Sequence, residues 1–218
     1  MVMKYRNVTQ AKFISRSNRF IANVEIDGVI ETVHVKNTGR CLELLIPGVE
    51  VYLERSDNAD RKTRYDLIAV RKSNGVLFNI DSQAPNQVVR EWLEKQAYTK
   101  IIPEYRYGGS RIDFYMEREN ERCLLEVKGC TLEVDGIGYF PDAPTQRGVK
   151  HLRELVQAKR EGYRAYAAFV IQMDGVTEVR PNAATHPEFA AAWAEAEAAG
   201  VELLMLRCHV TPDGIVIV

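Results

Sequence analysis

Apolar and polar residues alternate with a period of two in three bursts near the start of the chain, Lys12–Ser15, Phe20–Ile26 and Val29–Val35. That is the period of a strand with one buried face, because successive side chains point to opposite sides. Ser17-Asn18 and Asp27-Gly28 separate the bursts, and Asp-Gly between alternating runs is a strong signal for a tight hairpin turn. After Asn37-Thr38-Gly39, residues Arg40–Leu45 read as a brief helix stopped by Pro47-Gly48. Further strands are predicted near Val49–Glu54, Arg64–Val70 and Val76–Ile80, the last two joined across Ser73-Asn74-Gly75. Short strands with one short helix between them suit a small barrel, and the OB-fold is the natural candidate for residues 1–80.

From about residue 81 the period lengthens. Pro85-Asn86 precedes Val88, Val89, Trp92 and Leu93 at helical spacing, and this helix ends before Ile101-Ile102-Pro103. Two strand-like runs follow, one through Met116 and one from Cys123 to Gly129, flanking the polar break Glu117–Arg122. They predict a hairpin. The Gly- and Pro-bearing stretch Thr131–Ala143 reads as a loop or an added strand. A helix is predicted from Pro144 to Glu161, with Val149, Leu152, Leu155 and Val156 on its buried stripe and Gly162 as its stop. Tyr163–Met173 reads as a central strand, His186–Ala199 as an alanine-rich helix packing through Phe189, Trp193 and Ala196, and Val201–Val210 with Ile215–Val218 as a last hairpin. The fold class expected is α+β or α/β with two domains: a small OB-like barrel over 1–80, then an α/β sheet domain over 81–218.

The predicted hairpin carries the candidate chemistry. Period two puts Arg111 and Asp113 on one face with Ile112 and Phe114 on the other, and places Glu126 with Lys128 opposite Leu125 and Val127. A loop of even length around Glu119-Asn120 would set Asp113 across from Glu126 and Arg111 across from Lys128. Directly opposed β-carbons are roughly 5 Å apart, and like charges there are destabilising. A divalent cation or the two nearby bases would offset them. Asp with Glu-x-Lys suits Mg²⁺, a hard ion that takes oxygen ligands and keeps waters for chemistry, with Lys128 placed to orient or deprotonate such a water. The plain alternative is a solvated, salt-bridged strand face. Glu104 upstream, the close approach that Gly108-Gly109 allows and the apolar opposite face add weight to a site. Arg147, Lys150 and His151, at i, i+3 and i+4, are either a solvated helix face or a phosphate clamp near a helix N-terminus, with Gln146 in reach.

Glu104, Asp113 and Glu126-x-Lys128, in that order, resemble the PD-(D/E)xK nuclease site. The runs Gly-Ser-Arg-Ile-Asp-Phe (109–114), Glu-Val-Lys (126–128), Phe-Pro-Asp-Ala (140–143) and Arg-Gly-Val-Lys-His-Leu (147–152) are similar to the sugar fermentation stimulation proteins. Val-His-Val-Lys-Asn-Thr-Gly-Arg (33–40) fits the N-terminal part of the same family, so the resemblance spans nearly the whole chain. Cys41 stands where the family pattern leads one to expect methionine. The literal Pro141-Asp142 follows Glu126-x-Lys128, so the aspartate of the nuclease signature is Asp113. The resemblance implies an N-terminal OB-like domain, a C-terminal PD-(D/E)xK nuclease-like domain and DNA binding. It assigns Glu104, Asp113, Glu126 and Lys128 as the active-site set. The metal, Mg²⁺ or Mn²⁺, would be held by Asp113, Glu126, Glu104 and the carbonyl of Val127. Two functions follow: a metal-dependent nuclease hydrolysing phosphodiester bonds, and a DNA-binding transcriptional regulator of sugar metabolism without significant catalysis.

Composition narrows this picture only slightly. The chain has 218 residues, enough for one large or two small cored domains, and no apolar run approaches a membrane span. Met1-Val-Met-Lys-Tyr-Arg lacks the apolar region of a signal peptide, so a cytoplasmic location is expected. The four cysteines form no Cys-x-x-Cys pair, which argues against a zinc ribbon or a dithiol redox motif. The net charge of −1 hides an asymmetry: residues 1–80 hold thirteen Lys/Arg against nine Asp/Glu, and residues 81–218 hold sixteen against twenty-one. A mildly basic front suits a nucleic-acid grip. Arg16, Arg19, Lys36, Arg40, Arg61, Lys62 and Arg64 are its candidate phosphate contacts, the alternative being a solvated barrel surface, with Arg147, Lys150 and His151 in the rear. Phe20, Tyr52 and Tyr65 are candidate stacking platforms. DNA against RNA, the mode of cleavage and the oligomeric state stay open.

Overall fold

The computed structural model describes residues 3–37, 39–58 and 60–218; Thr38, inside the 33–40 run, lies outside the described residues. The chain opens with β1 (Met3–Lys4) and then builds β2 (Val8–Asn18), β3 (Ile21–Ile26), β4 (Val29–Val35), β5 (Glu50–Arg55), β6 (Tyr65–Arg71) and β7 (Leu77–Asn79). Strands pair antiparallel in the order β4-β3-β2-β5-β6, and a parallel pairing of β4 with β6 closes five strands into a barrel. Asp27 and Gly28 both take positive φ, 49° and 81°, as the tight turn between β3 and β4 requires. Phe13, Val24, Val35, Leu53 and Leu67 fill the barrel core. The helix expected at Arg40–Leu45 is instead a single turn. Cys41 sits in the left-handed region at φ 47°, which a right-handed helix cannot continue, and its carbonyl accepts the N–H of both Leu44 and Leu45.

The second part runs α1 (Ala84–Leu93), β8 (Lys100–Tyr107), β9 (Ser110–Arg118), β10 (Glu121–Cys130), β11 (Leu132–Val134), β12 (Ile137–Phe140), α2 (Gln146–Arg160), β13 (Arg164–Ile171), β14 (Val179–Pro181), α3 (Pro187–Ala198), β15 (Glu202–Thr211) and β16 (Gly214–Ile217). A seven-stranded mixed sheet has the order β1-β16-β15-β13-β10-β9-β8, with β13 parallel to both β10 and β15. The stretch Thr131–Ala143 contributes the hairpin β11-β12, which joins β14 in a small separate sheet. Val88, Val89 and Leu93 of α1 pack with Phe114, Met116, Leu125 and Val170 on one face of the large sheet. Leu152 and Leu155 of α2, with Phe189 and Trp193 of α3, pack with Leu124, Ala167 and Phe169 on the other. Thr145 caps α2 by accepting the N–H of Gly148.

The two parts interlock. Residues 3 and 4 pair with β16, so the chain's first strand belongs to the far sheet. The Gln172 side-chain amide donates to the Asn79 and Asp81 carbonyls, and Asn79 donates to the Tyr5 hydroxyl. All of these side chains are buried, so the network fixes the barrel against the strand end that carries the candidate site. Among the described residues, no helix is long and apolar enough to cross a membrane.

Candidate active site

The hairpin β9-β10 turns through two residues, Glu119 and Asn120, with Glu119 at φ 53°. Its ladder runs from Glu121 opposite Arg118 to Leu125 opposite Phe114 and stops there. One further step would put Glu126 opposite Asp113. At that step the strands part, and the Asp113 carboxylate accepts the N–H of Val127 at 2.7 Å in place of a strand carbonyl. The expected alternation also breaks here. Ile112 joins the core under α2 whereas Phe114 joins the core under α1, so Arg111 and Asp113 do not simply share a face. On the other side, β8 skips Glu104 in its pairing with β9 and holds it at φ 52°. Both neighbours of Asp113 are thus irregular, which opens the sheet at the site.

Six side chains, of Asn86, Asp113, Glu126, Lys128, Arg147 and His151, are linked around the opening. Asn86, in the first turn of α1, donates to Asp113 at 2.8 Å. Glu126 is buried; its Oε1 accepts Lys128 Nζ at 2.5 Å and His151 Nδ1, while its Oε2 is buried without a partner. Arg147 Nε donates to His151 Nε2 at 3.4 Å. The two carboxyls are pushed in opposite directions. Burial, and then the charge of Glu126, raise the Asp113 carboxyl above the usual aspartate range against the pull of Val127 N–H, Lys128 and Asn86. Burial would also raise Glu126, but Lys128 and His151 outweigh it and hold Glu126 below the usual glutamate range.

Two clefts meet at Glu104, which is exposed. One, of about 540 Å³, is bounded by Asn86, Arg90, Glu91 and Asp113; the other, of about 560 Å³, by Arg111, Arg147, Lys150 and His151. Lys150 Nζ donates to the Gly109 carbonyl at 3.0 Å, tying α2 to the β8-β9 turn. Next to Lys128, a β-carbon on Gly129 would lie 2.3 Å from Gln172 Oε1 and 2.8 Å from Pro85 Cγ. Glycine is required for that approach. Nothing in the sequence pattern assigns Asn86, Gly129 or Gln172 to a site, and only the Pro85-Asn86 helix start is a local signal for any of them.

The expected phosphate contacts divide into two groups. Arg19, Arg40, Arg64, Arg147 and Lys150 are exposed. Arg16 is instead committed to the carbonyls of Gly39, Arg40, Arg19 and Asn37 at 2.6–2.9 Å. Lys36 is half-buried among Asp66, Asp81 and Glu54, at 3.3, 3.5 and 3.7 Å, and Arg61 is likewise committed to Asp66, to which it donates at 2.6 and 2.9 Å. His151 is buried against Glu126 and does not form the outer clamp expected of it. Of the candidate stacking rings, Phe20 is exposed, whereas Tyr52 is buried and bonded to Glu50 and Arg71.

Among the described residues, no three His, Cys, Asp or Glu side chains converge as a ready metal cluster. The chemistry present does fit a hard divalent ion: an unpartnered buried carboxylate oxygen on Glu126 stands beside Asp113, whose charge burial disfavours.

Comparison with known proteins gives a consistent set. A family model described as the sugar fermentation stimulation protein RE domain matches residues 83–214, and one described as the SfsA N-terminal OB domain matches residues 14–80. A sugar fermentation stimulation protein homolog of Desulfitobacterium hafniense (strain DSM 10664 / DCB-2) is 55% identical over 216 residues, covering 98% of this chain and 94% of that protein. The homolog from Clostridium beijerinckii is 51% identical, covering 98% and 96%. The structure of Pyrococcus furiosus SfsA in complex with Ca²⁺ superposes with a TM-score of 0.87 at 30% identity, covering 99% of this chain and 95% of that one.

Proposed function

The chain belongs to the sugar fermentation stimulation protein family, and from its site we propose that it is a divalent-metal-dependent nuclease that binds DNA and hydrolyses phosphodiester bonds. The observation that carries this reading is Glu126: Lys128 and His151 hold one oxygen, the other is buried and unpartnered, and the charge of this side chain bears on the Asp113 carboxyl. The charge of the buried Glu126 pushes up the half-buried Asp113 carboxyl, and a hard cation held by both would relieve that repulsion. The related Pyrococcus protein was solved with Ca²⁺, an ion of the same class, which supports such an ion here.

Asp113 and Glu126, with Glu104 and the Val127 carbonyl, would hold Mg²⁺ or Mn²⁺. When bound, such an ion supplies Lewis-acid polarisation of a phosphoryl oxygen and lowers the pKa of water. The chain's own residues do the rest. Lys128, bonded to Glu126, would orient the attacking water and offset charge as it develops. Arg147 and Lys150 would hold phosphate in the cleft they line with Glu104. Arg19, Arg40 and Arg64 would extend the grip along the barrel, where counterion release favours binding without reading sequence.

A second reading, a DNA-binding regulator that does not cut, draws on the lack of three converging ligand side chains among the described residues. A screen of single-stranded, duplex and branched DNA with Mg²⁺ or Mn²⁺ separates the two. The nuclease reading expects cleavage that is lost in Asp113→Asn, and a melting temperature that rises with metal in the parent alone. Saturation at a hundredfold over Kd would stabilise the fold by about 2.7 kcal/mol. A parent that binds DNA but cuts no substrate with either ion is the regulator.

A further inference from the structure

We infer that His151 is a positioning residue: fixed as its Nδ1–H tautomer by Arg147, it joins Lys128 in saturating Glu126 Oε1 and leaves Oε2 as the oxygen that Glu126 presents to a divalent cation. The inference rests on the proposed metal site but is argued from this chain's own hydrogen bonds. A neutral imidazole has one donor and one acceptor nitrogen, and an arginine guanidinium only donates. Arg147 Nε points at His151 Nε2 at 3.4 Å, so Nε2 is the acceptor and the proton lies on Nδ1. Nδ1 then donates to Glu126 Oε1, the oxygen that already accepts Lys128. Both donors converge on one oxygen of a side chain that is almost wholly buried, and Oε2 is left without a partner.

The arrangement has two chemical consequences. With Oε1 occupied twice, Glu126 is suited to single-oxygen ligation and cannot close on a cation with both oxygens. Two donors on Oε1 also hold the carboxylate in one rotation, which fixes where Oε2 lies. Partners that orient a ligating group in this way typically change metal affinity by about 10–100-fold.

Two variants separate positioning from packing. His151→Asn places an amide nitrogen where Nδ1 lies, keeping the donor and losing the ring; His151→Phe keeps a ring and loses the donor. Packing alone would rank Phe above Asn. Positioning expects the reverse for metal: Mn²⁺ affinity by calorimetry within a few-fold of the parent in His151→Asn and about 10-fold or more weaker in His151→Phe. Melting temperatures are recorded alongside. In the metal-free parent, ¹⁵N spectra of the histidine rings, with the His151 signals identified by their loss in the variants, are expected to show a protonated Nδ1 and a bare Nε2. A proton on Nε2, on both nitrogens, or a Phe variant that binds Mn²⁺ like the parent overturns the inference. A parent that binds no Mn²⁺ overturns the metal reading of the site instead, and the ring spectrum still decides the role of His151.

Discussion

The Asp113 carboxylate accepts the backbone N–H of Val127 at 2.7 Å, so a side chain stands where β9 and β10 would otherwise exchange a ladder bond. An asparagine keeps an oxygen for that bond and removes the charge that burial and Glu126 both disfavour. Asp113→Asn is therefore expected to lose cleavage while matching or exceeding the parent in stability at pH 7, by up to about 1 kcal/mol. The sign follows from the raised carboxyl. The stabilisation linked to protonated Asp113 is complete below the ordinary aspartate range and is lost as pH rises through the raised value. The variant does not titrate there, so its advantage should widen with rising pH in urea titrations. An advantage that shrinks over that window would remove the claim that the charge is disfavoured.

The basic residues of the barrel should separate by measurement as they do by contact. Arg64 is exposed beside Arg61 in a surface cleft, and Arg64→Ala should weaken binding to duplex DNA and lower the salt slope by about one charge while leaving stability unchanged. Arg16→Ala strips the donors from four backbone carbonyls and should destabilise the fold by about 1–3 kcal/mol. Equal salt slopes for the parent and Arg64→Ala would remove Arg64 from the binding surface.

That separation also marks how far the sequence is legible. The hairpin bearing Asp113 and Glu126 can be read because its apolar alternation and its turn lie within thirty residues, and the Asp27-Gly28 turn because its chemistry is local. The OB-like barrel and the mixed α/β sheet follow from such local patterns. Lys36 looks like a phosphate ligand until Asp66 and Asp81, far along the chain, are folded beside it. Met3–Lys4 and Val179–Pro181 are too short to show a period, and their partners are distant or equally short. The break at Asp113 is invisible for a related reason: regular alternation is the assumption behind the reading, and the site lies where the alternation fails.

Asp66 gives the acid side of stability. Burial alone would raise its carboxyl, but Arg61, Lys36 and His34 outweigh it and hold the group at about 2. A depressed carboxyl stabilises the fold above its unfolded value and loses that contribution as pH falls through the folded one. Asp66→Asn should then be less stable than the parent at pH 7 by on the order of 1 kcal/mol, allowing for solvent screening of its partly exposed partners. The gap should narrow below pH 4 and close near pH 2. A gap independent of pH between 7 and 3 would show that shape, not charge, accounts for the loss.

Lys128 tests catalysis most directly. It lies one pleat from Glu126 with its ammonium on Glu126 Oε1, and only about a tenth of its side chain is exposed. A group so placed touches the reacting centre but contributes little surface to a long polyanion, so its loss should act on the transition state more than on the grip. Lys128→Ala is expected to lower the cleavage rate by roughly 100-fold or more and to leave the DNA Kd within a few-fold of the parent. Because Glu126 keeps only His151 as a donor in that variant, its melting temperature should fall, and rates are best compared well below it. Glu126→Gln should also stop cleavage, yet bind DNA as tightly as the parent or more tightly, since it removes negative charge near the scissile phosphate. Lys150→Ala, at an exposed position in the phosphate cleft, should show the opposite split, with weaker binding and little change in the rate of the bound complex. An unchanged rate in Lys128→Ala would trace the activity to another site or to a contaminant, and a binding loss as large as the rate loss would recast Lys128 as a phosphate contact.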